Sequence, residues 1–409
     1  MQSAAAHSLR SEKCFPSRAY RSGKRIEFYF AASGETLRGF FVSTKMRIKR
    51  FFKKYQKLHI WLLVDLVLIG LFLLTRDNRA LMNALTGYVT EPLKRAIGSL
   101  TYLVDFSVAE LVYVTAILVG VLLVPCAIRA LVESRSKWQT LYRMVLGAAC
   151  AGLSIYVGLT LLWGVNYYTD SFQDKSGIYA REASVAELEE LTRIMAAGVI
   201  DSYDDVKRDE NGLFAESRQD IFAASTGIYA HVYDEFPFLE QEDHVPKSLV
   251  FSEPFSAMNF TGFFFPFTGE ANLNVHCPPV YLASTITHEM AHLRGIASEQ
   301  ECNFLAVVAS TASDEPAYRY AGWLLGYVYT SNALYRVDQE KWLAIRQTIP
   351  EEVLHDLRWQ SDYWANYEGK VSEAASNAYD SFLKGYGDED GIQSYGTVVD
   401  MLITYYLDK

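Results

Sequence analysis

A histidine, a glutamate and a second histidine stand in the order His288-Glu289-Met290-Ala291-His292. On a helix, residues four apart share one face, so both imidazoles can reach a single metal ion. Glu289, one position on, is rotated aside, where it can hold the attacking water and act as general base. Neutral imidazoles suit zinc, and three protein ligands leave the open coordination position that catalysis needs. The chemistry on offer is zinc-dependent hydrolysis. The plain alternative is a helix that carries incidental surface histidines.

A third ligand must come from another element. The helical pattern over Thr285–Leu293 is expected to break at Gly295. Ser298 then reads as an N-cap, with Glu301 completing a capping box, and a second helix is expected over Glu299–Ser310. Two carboxylates compete. Glu299 opens the new helix, where it can turn back toward the metal, whereas Glu301 already has capping work. Glu299 is preferred and Glu301 stays the alternative.

Upstream, GFFFPFTGEANLN (262–274) reads as an extended aromatic segment, suited to pair as an edge strand with a substrate backbone. Within it Glu270 either binds a substrate amine or caps a turn, and the cap is preferred. His276 is a stray ligand or a loop residue, with the loop preferred. Ser394–Leu407 is expected to form a final apolar helix. Tyr395 at its start is a candidate donor to the tetrahedral oxyanion, against the plainer reading of a packed or capping tyrosine.

The elements that position this segment divide the chain in two. Residues 1–166 hold 22 Lys+Arg against 9 Asp+Glu, so residues 167–409 hold 38 − 22 = 16 against 48 − 9 = 39. A basic membrane-anchoring part joined to an acidic catalytic part follows from that split. The acidic half has no attraction for phosphate backbones, which argues against a nucleic-acid partner. Three apolar runs, Leu58–Thr75, Phe106–Ile128 and Met144–Tyr168, are each long enough to cross about 30 Å of hydrocarbon. Seven basic residues lie between Lys45 and Lys57, and Arg129, Arg135, Lys137 and Arg143 follow the second run. Both clusters are expected to stay cytoplasmic, which puts everything after Tyr168 outside. The intervening loop carries Arg76, Arg79, Lys94 and Arg95 as its basic residues. Trp163, Tyr167 and Tyr168 are expected in the outer aromatic belt. Asp65 is expected to face the helix bundle or a partner, and Glu110 to lie near the outer headgroups, in preference to a functional intramembrane acid.

The first 45 residues are polar, basic and aperiodic, and Met46 before RIKRFFKK reads as a natural start. None of the five cysteines forms a CxxC pair. Cys277 and Cys302 are candidates for a disulfide if the acidic half lies outside the cell. Residues 184–235 read as two amphipathic helices, and 316–348 and 351–385 as further helical patterns rich in Tyr and Trp.

Glu299 and Asn303 resemble the ExxxD arrangement of gluzincin peptidases, with Asn in the place of the Asp that supports a metal-binding His. The glutamate of those enzymes lies further along the chain. The HExxHxxGxxH pattern of metzincins is matched at Gly295 but fails at Ser298. PFTGEANLN, HEMAHLRGIASEQECNF and SYGTVVDMLITYY together resemble domain-of-unknown-function family 3810, bacterial membrane proteins of the zincin-like clan. That family commonly has Ala where this chain has Cys302. The resemblance covers most of residues 50–409 and implies a metallopeptidase-like domain, with no substrate attached.

The expected architecture is mainly α. A cytoplasmic N-terminus (1–57) leads to three transmembrane helices (58–168) and a mostly helical zincin-like domain with a small β-sheet (169–409). The expected function is plasma-membrane-anchored zinc metallopeptidase of the bacterial envelope. It would use Zn2+ held by His288, His292 and Glu299, with Glu289 and Tyr395 in catalysis, the bilayer as one partner and a peptide or protein substrate as the other. The competing readings are a silent scaffold of the same fold and a zinc hydrolase of a non-peptide envelope component.

Overall fold

The computed structural model describes residues 42, 45–47, 49–386 and 395–408. The chain divides into two compact units, 1–61 and 62–409. In the first, the Phe51 ring packs edge-on to Tyr55 at 5.2 Å.

Three helices are long and apolar enough to cross a membrane: α1 (Gln56–Thr75), α4 (Val108–Glu133) and α5 (Lys137–Leu162). Asp65 is buried in α1 and accepts a bond from Ser154 of α5 at 3.1 Å, so it does face the bundle. Five of the six expected boundaries move, those of the third run the furthest. The third run yields its helix over Lys137–Leu162, and Gly164–Tyr168 tightens into a 3₁₀ turn. Trp163 is therefore not a belt residue: it is 6% exposed and turned into the protein.

The segment between α1 and α4 is folded. It forms α2 (Arg79–Leu85), a π turn (Thr86–Thr90) and α3 (Glu91–Thr101). Lys94, read from sequence as a loop charge, is buried and paired with Glu91 at 2.6 Å. Desolvation lowers its ammonium below the ordinary lysine range.

Two carboxylates lock the start of α4 to the acidic half. Glu270 is fully buried and accepts the backbone N–H groups of Val108 and Ala109, at 3.3 and 3.0 Å, at the start of α4. It caps the distant start of α4 rather than a turn of its own segment. Glu110 is buried in turn and accepts the N–H groups of Val250 and Phe251, at 2.9 and 2.8 Å. An acid at a helix N-terminus is favoured by the orphan N–H groups and the dipole there. Here each side supplies the acid for the other.

Beyond α5 come α6 (Phe172–Ser176), α7 (Val185–Ser202) and α8 (Arg218–Ala224). The second of the two helices expected over 184–235 is thus short, and it runs on as a 3₁₀ helix over Ser225–Val232. Strand β1 (Lys247–Ser248), helix α9 (Ser252–Ala257) and strands β2 (Gly262–Phe265) and β3 (Glu270–Leu273) follow. The sheet order is β1-β3-β2, with β1 parallel and β2 antiparallel to β3, so β2 is an edge strand. Then come α10 (Leu282–Leu293), α11 (Glu299–Thr311), α12 (Pro316–Val337), α13 (Gln339–Arg346), α14 (Glu351–Ala365), α15 (Lys370–Gly385) and α16 (Tyr395–Leu407). Mainly helical with one small mixed sheet is the fold class expected from sequence.

The core joins α7, α10, α11, α12 and α16 through Leu191, Met195, Met290, Phe304, Val307, Leu324 and Met401, all fully buried. Burial of that apolar surface positions α10 and α11 rigidly. Cys277 and Cys302 are both buried and free, so the candidate disulfide does not form. Their thiols instead point at the carbonyls of Asn274 (3.1 Å) and Ile296 (3.4 Å).

Candidate metal centre

Helix α10 buries Ile286, Met290 and Ala291 against the core and turns His288 and His292 to the other side. Their rings lie 4.9 Å apart, near perpendicular. The C-terminal end of α10 is pinned by Arg294. Its guanidinium pairs with Asp243 at 2.7 Å, donates to the Met290 carbonyl and stacks on Tyr229. The chain then reverses at Gly295, whose φ of +80° lies in the left-handed region that disfavours side chains. A Cβ there would also stand 2.8 Å from a Glu91 oxygen. Ser298 caps α11 through the Glu301 N–H.

This reversal brings Glu299 back over α10. One carboxylate oxygen lies 3.2 Å from His288 Nε2 and the other 3.4 Å from His292 Nε2. All three groups offer ligand atoms within 4.8 Å of one another. The remaining imidazole nitrogens are already engaged. His288 Nδ1 lies 2.9 Å from Asn303 Oδ1, and His292 Nδ1 lies 2.8 Å from the Ile296 carbonyl. Both partners are acceptors, so each Nδ1 carries a proton and Nε2 is the atom that each ring turns to Glu299. Two such nitrogens facing a carboxylate call for positive charge among them, which protons on Nε2 or a metal ion would supply. A divalent cation fits that need. Burial opposes ionisation of Glu299, but His292 and His288 outweigh it and hold its carboxyl well below the usual carboxylate range.

Glu301, the competing ligand, turns the other way. It accepts the N–H groups of Phe172 and Gln173 at 3.0 and 3.1 Å. The capping box is accordingly half made, because the Glu301 side chain caps α6 rather than its own helix.

Glu289 sits beside the cluster, 4% exposed, with Oε2 lacking any hydrogen-bond partner. Burial pushes its carboxyl up to about 8, with Glu299 adding and His288 and the Phe264 N–H opposing. Gly262 of β2 makes the room: a Cβ at that position would lie 2.8 Å from Glu289 Oε1.

Sequence reasoning missed one residue. Tyr379 of α15 donates its hydroxyl to Glu299 in a short bond, and burial with the nearby Glu299 raises that hydroxyl well above its ordinary range. Nothing in the spacing of the Tyr-rich segment 351–385 singles it out. Tyr395, the sequence candidate, opens α16, and its side chain lies outside the described residues. His276 is a loop residue bonded to Tyr363 at 2.9 Å.

The cluster lines a cavity of about 1250 Å³. Trp163, Phe264, Tyr379 and Phe382 share its wall with residues 260–264 of the β2 edge. Residues 87–403, more than half of the chain, match a family described as protein of unknown function DUF3810. The chain belongs to the DUF3810 family. The match takes in the metal-ligand candidates, Glu289 and Tyr379 of this DUF3810 member. Neither the curated proteins nor the solved structures contain a match to it.

Proposed function

We propose that this DUF3810 protein is a membrane-anchored, gluzincin-like zinc peptidase that hydrolyses peptide bonds on the extracytoplasmic side. The observation that carries this reading is the convergence of His288 Nε2, His292 Nε2 and the Glu299 carboxylate beside a buried carboxylate with an unpaired oxygen. A silent scaffold has no use for Glu289, since a buried carboxyl oxygen without a partner costs stability.

In this reading His288, His292 and Glu299 hold zinc. Zinc bound by such a set supplies Lewis acidity and eases ionisation of a water molecule. Glu289 takes the proton of the attacking water and delivers it to the leaving amine. The unpaired edge of β2 aligns the substrate backbone along Gly262–Phe264. Tyr379 donates to the oxygen on which negative charge develops. Asn303 and the Ile296 carbonyl keep the imidazoles in the tautomer that presents Nε2. The basic segments 45–57 and 129–143 stay in the cytoplasm and set the orientation.

The direct test is elemental analysis of the purified full-length chain, with cleavage of a degenerate peptide library followed by mass spectrometry. Zinc at one ion per chain and cleavage that a chelator stops and added zinc restores are expected. A chain that holds no metal when purified with zinc sinks the reading. Tyr379→Phe is expected to bind zinc about 10–100-fold more weakly, since it loses the bond to Glu299, yet to fill in excess zinc, where kcat falls about 10²–10³-fold. Wild-type kcat in that variant would remove Tyr379 from the chemistry.

A further inference from the structure

Where the cleft sits relative to the three apolar helices limits what can enter it. Trp163 directly follows the last residue of α5, and its ring lies 5.3 Å from that of His292. Leu159, one turn back on α5, lines the same cavity. On the other side, Phe263 and Phe265 of β2 pack at 6.0 and 5.0 Å on Tyr113, five residues into α4. Helix α5 has 26 residues, about 39 Å at about 1.5 Å each, against about 30 Å of hydrocarbon. The basic stretch Lys137–Arg143 takes up the excess at the opposite end, so Leu162 and Trp163 reach the hydrocarbon–headgroup boundary, and the floor of the cleft lies with them.

The surface around the start of α4 agrees. Helix α3 is inside out for a water-facing helix: Lys94 is 2% exposed while Leu100 is 69% exposed. Leu103 and Phe106 continue the apolar surface, and Val250 and Phe251, held by Glu110 at the first turn of α4, extend it at 75% and 57% exposure. Such a group of exposed apolar side chains, beside the start of a membrane-crossing helix, suits a surface seated in the interface. The β2–β3 turn is tied to α3 through the Thr101 hydroxyl and the Thr268 carbonyl, 2.9 Å apart. Across the cleft, the Tyr386 hydroxyl meets Thr160 of α5 at 3.2 Å, so the element that carries Tyr379 is fixed to the same membrane-level turn.

We infer that the substrates are polypeptides cleaved where they leave the bilayer, within a few residues of a transmembrane or lipid-anchored segment. This rests on the peptidase reading and narrows it to one substrate class. An extended chain rising from the headgroups meets the β2 edge at once, whereas a segment far from the membrane must bend back down to reach it.

The test uses the full-length zinc-loaded chain in phosphatidylcholine vesicles. The degenerate peptide library is presented free in solution, or fused to a single apolar transmembrane helix through a Gly/Ser spacer of about 4 or about 30 residues, the longer having a reach of about 30 Å. Tethering alone raises the effective concentration for both spacers. Cleavage at least about tenfold faster with the short spacer is expected, because geometry then decides. Equal or faster cleavage with the long spacer or the free library overturns this inference and leaves the peptidase reading intact. Cleavage of none of them by the zinc-loaded chain overturns both. Independently of turnover, a nitroxide on Val250→Cys, with Cys14 and Cys126 replaced by Ser, is expected to show the oxygen accessibility of the headgroup–acyl boundary. Full water accessibility there overturns the placement.

Discussion

Glu289→Gln is expected to bind zinc at full stoichiometry and to lose about 10²–10⁴-fold in kcat, the usual contribution of a positioned general base. Gln fills the same volume, so the space left by Gly262 still accepts it. What it removes is a carboxyl group with a buried, unpartnered oxygen beside the candidate ligands. A carboxylate so placed is costly in the folded chain, which is why burial drives its proton affinity up. The neutral variant escapes that cost, and its thermal midpoint is expected to be no lower than that of the wild type. Loss of turnover with metal and stability preserved isolates proton transfer from ligand binding. Elemental analysis, a melting curve and library cleavage on one preparation decide it. Undiminished turnover in the variant would falsify the role of Glu289 and leave the metal site without a base.

Much of this site was legible because its parts lie close in sequence. His288 and His292 are one turn apart, and Gly295 and Ser298 announce a break and a restart, so the two helices and the choice of Glu299 follow from local rules. The apolar helices were legible from length alone. Contacts that span the chain were hidden. Tyr379 reaches Glu299 from 80 residues away. Glu301 fits a capping box by its spacing, yet its oxygens are taken by the N–H groups of Phe172 and Gln173, which no local pattern connects to it. Trp163 looks like a membrane-belt aromatic because its neighbours are apolar, but its partner is His292. Lys94 looks like a solvated loop charge; its partner Glu91 stands only three residues before it, and what the spacing does not show is that the pair is buried. Local periodicity carries elements, while tertiary partners carry roles.

Because Glu299 and Glu301 stand two residues apart and face opposite ways, replacing each by Ala is expected to give opposite phenotypes. In the proposed function, Glu299→Ala removes one of three protein ligands. Its zinc affinity should fall by more than the about 10–100-fold that loss of an outer partner costs. Its metal-free fold should survive, because among the described residues the polar partners of the side chain are the two imidazoles and Tyr379. Glu301→Ala leaves two backbone donors at the start of α6 without an acceptor, one of them buried. Each unsatisfied buried group costs about 1–3 kcal/mol, so about 2–4 kcal/mol of stability should be lost while zinc stays bound. Isothermal titration with zinc and thermal unfolding of both variants read the two quantities separately. If Glu301→Ala were the variant that lost zinc, the carboxylate facing the imidazoles would not be the ligand. The reversal at Gly295 would then serve packing alone, and the two imidazoles would lack the third group that makes them a centre.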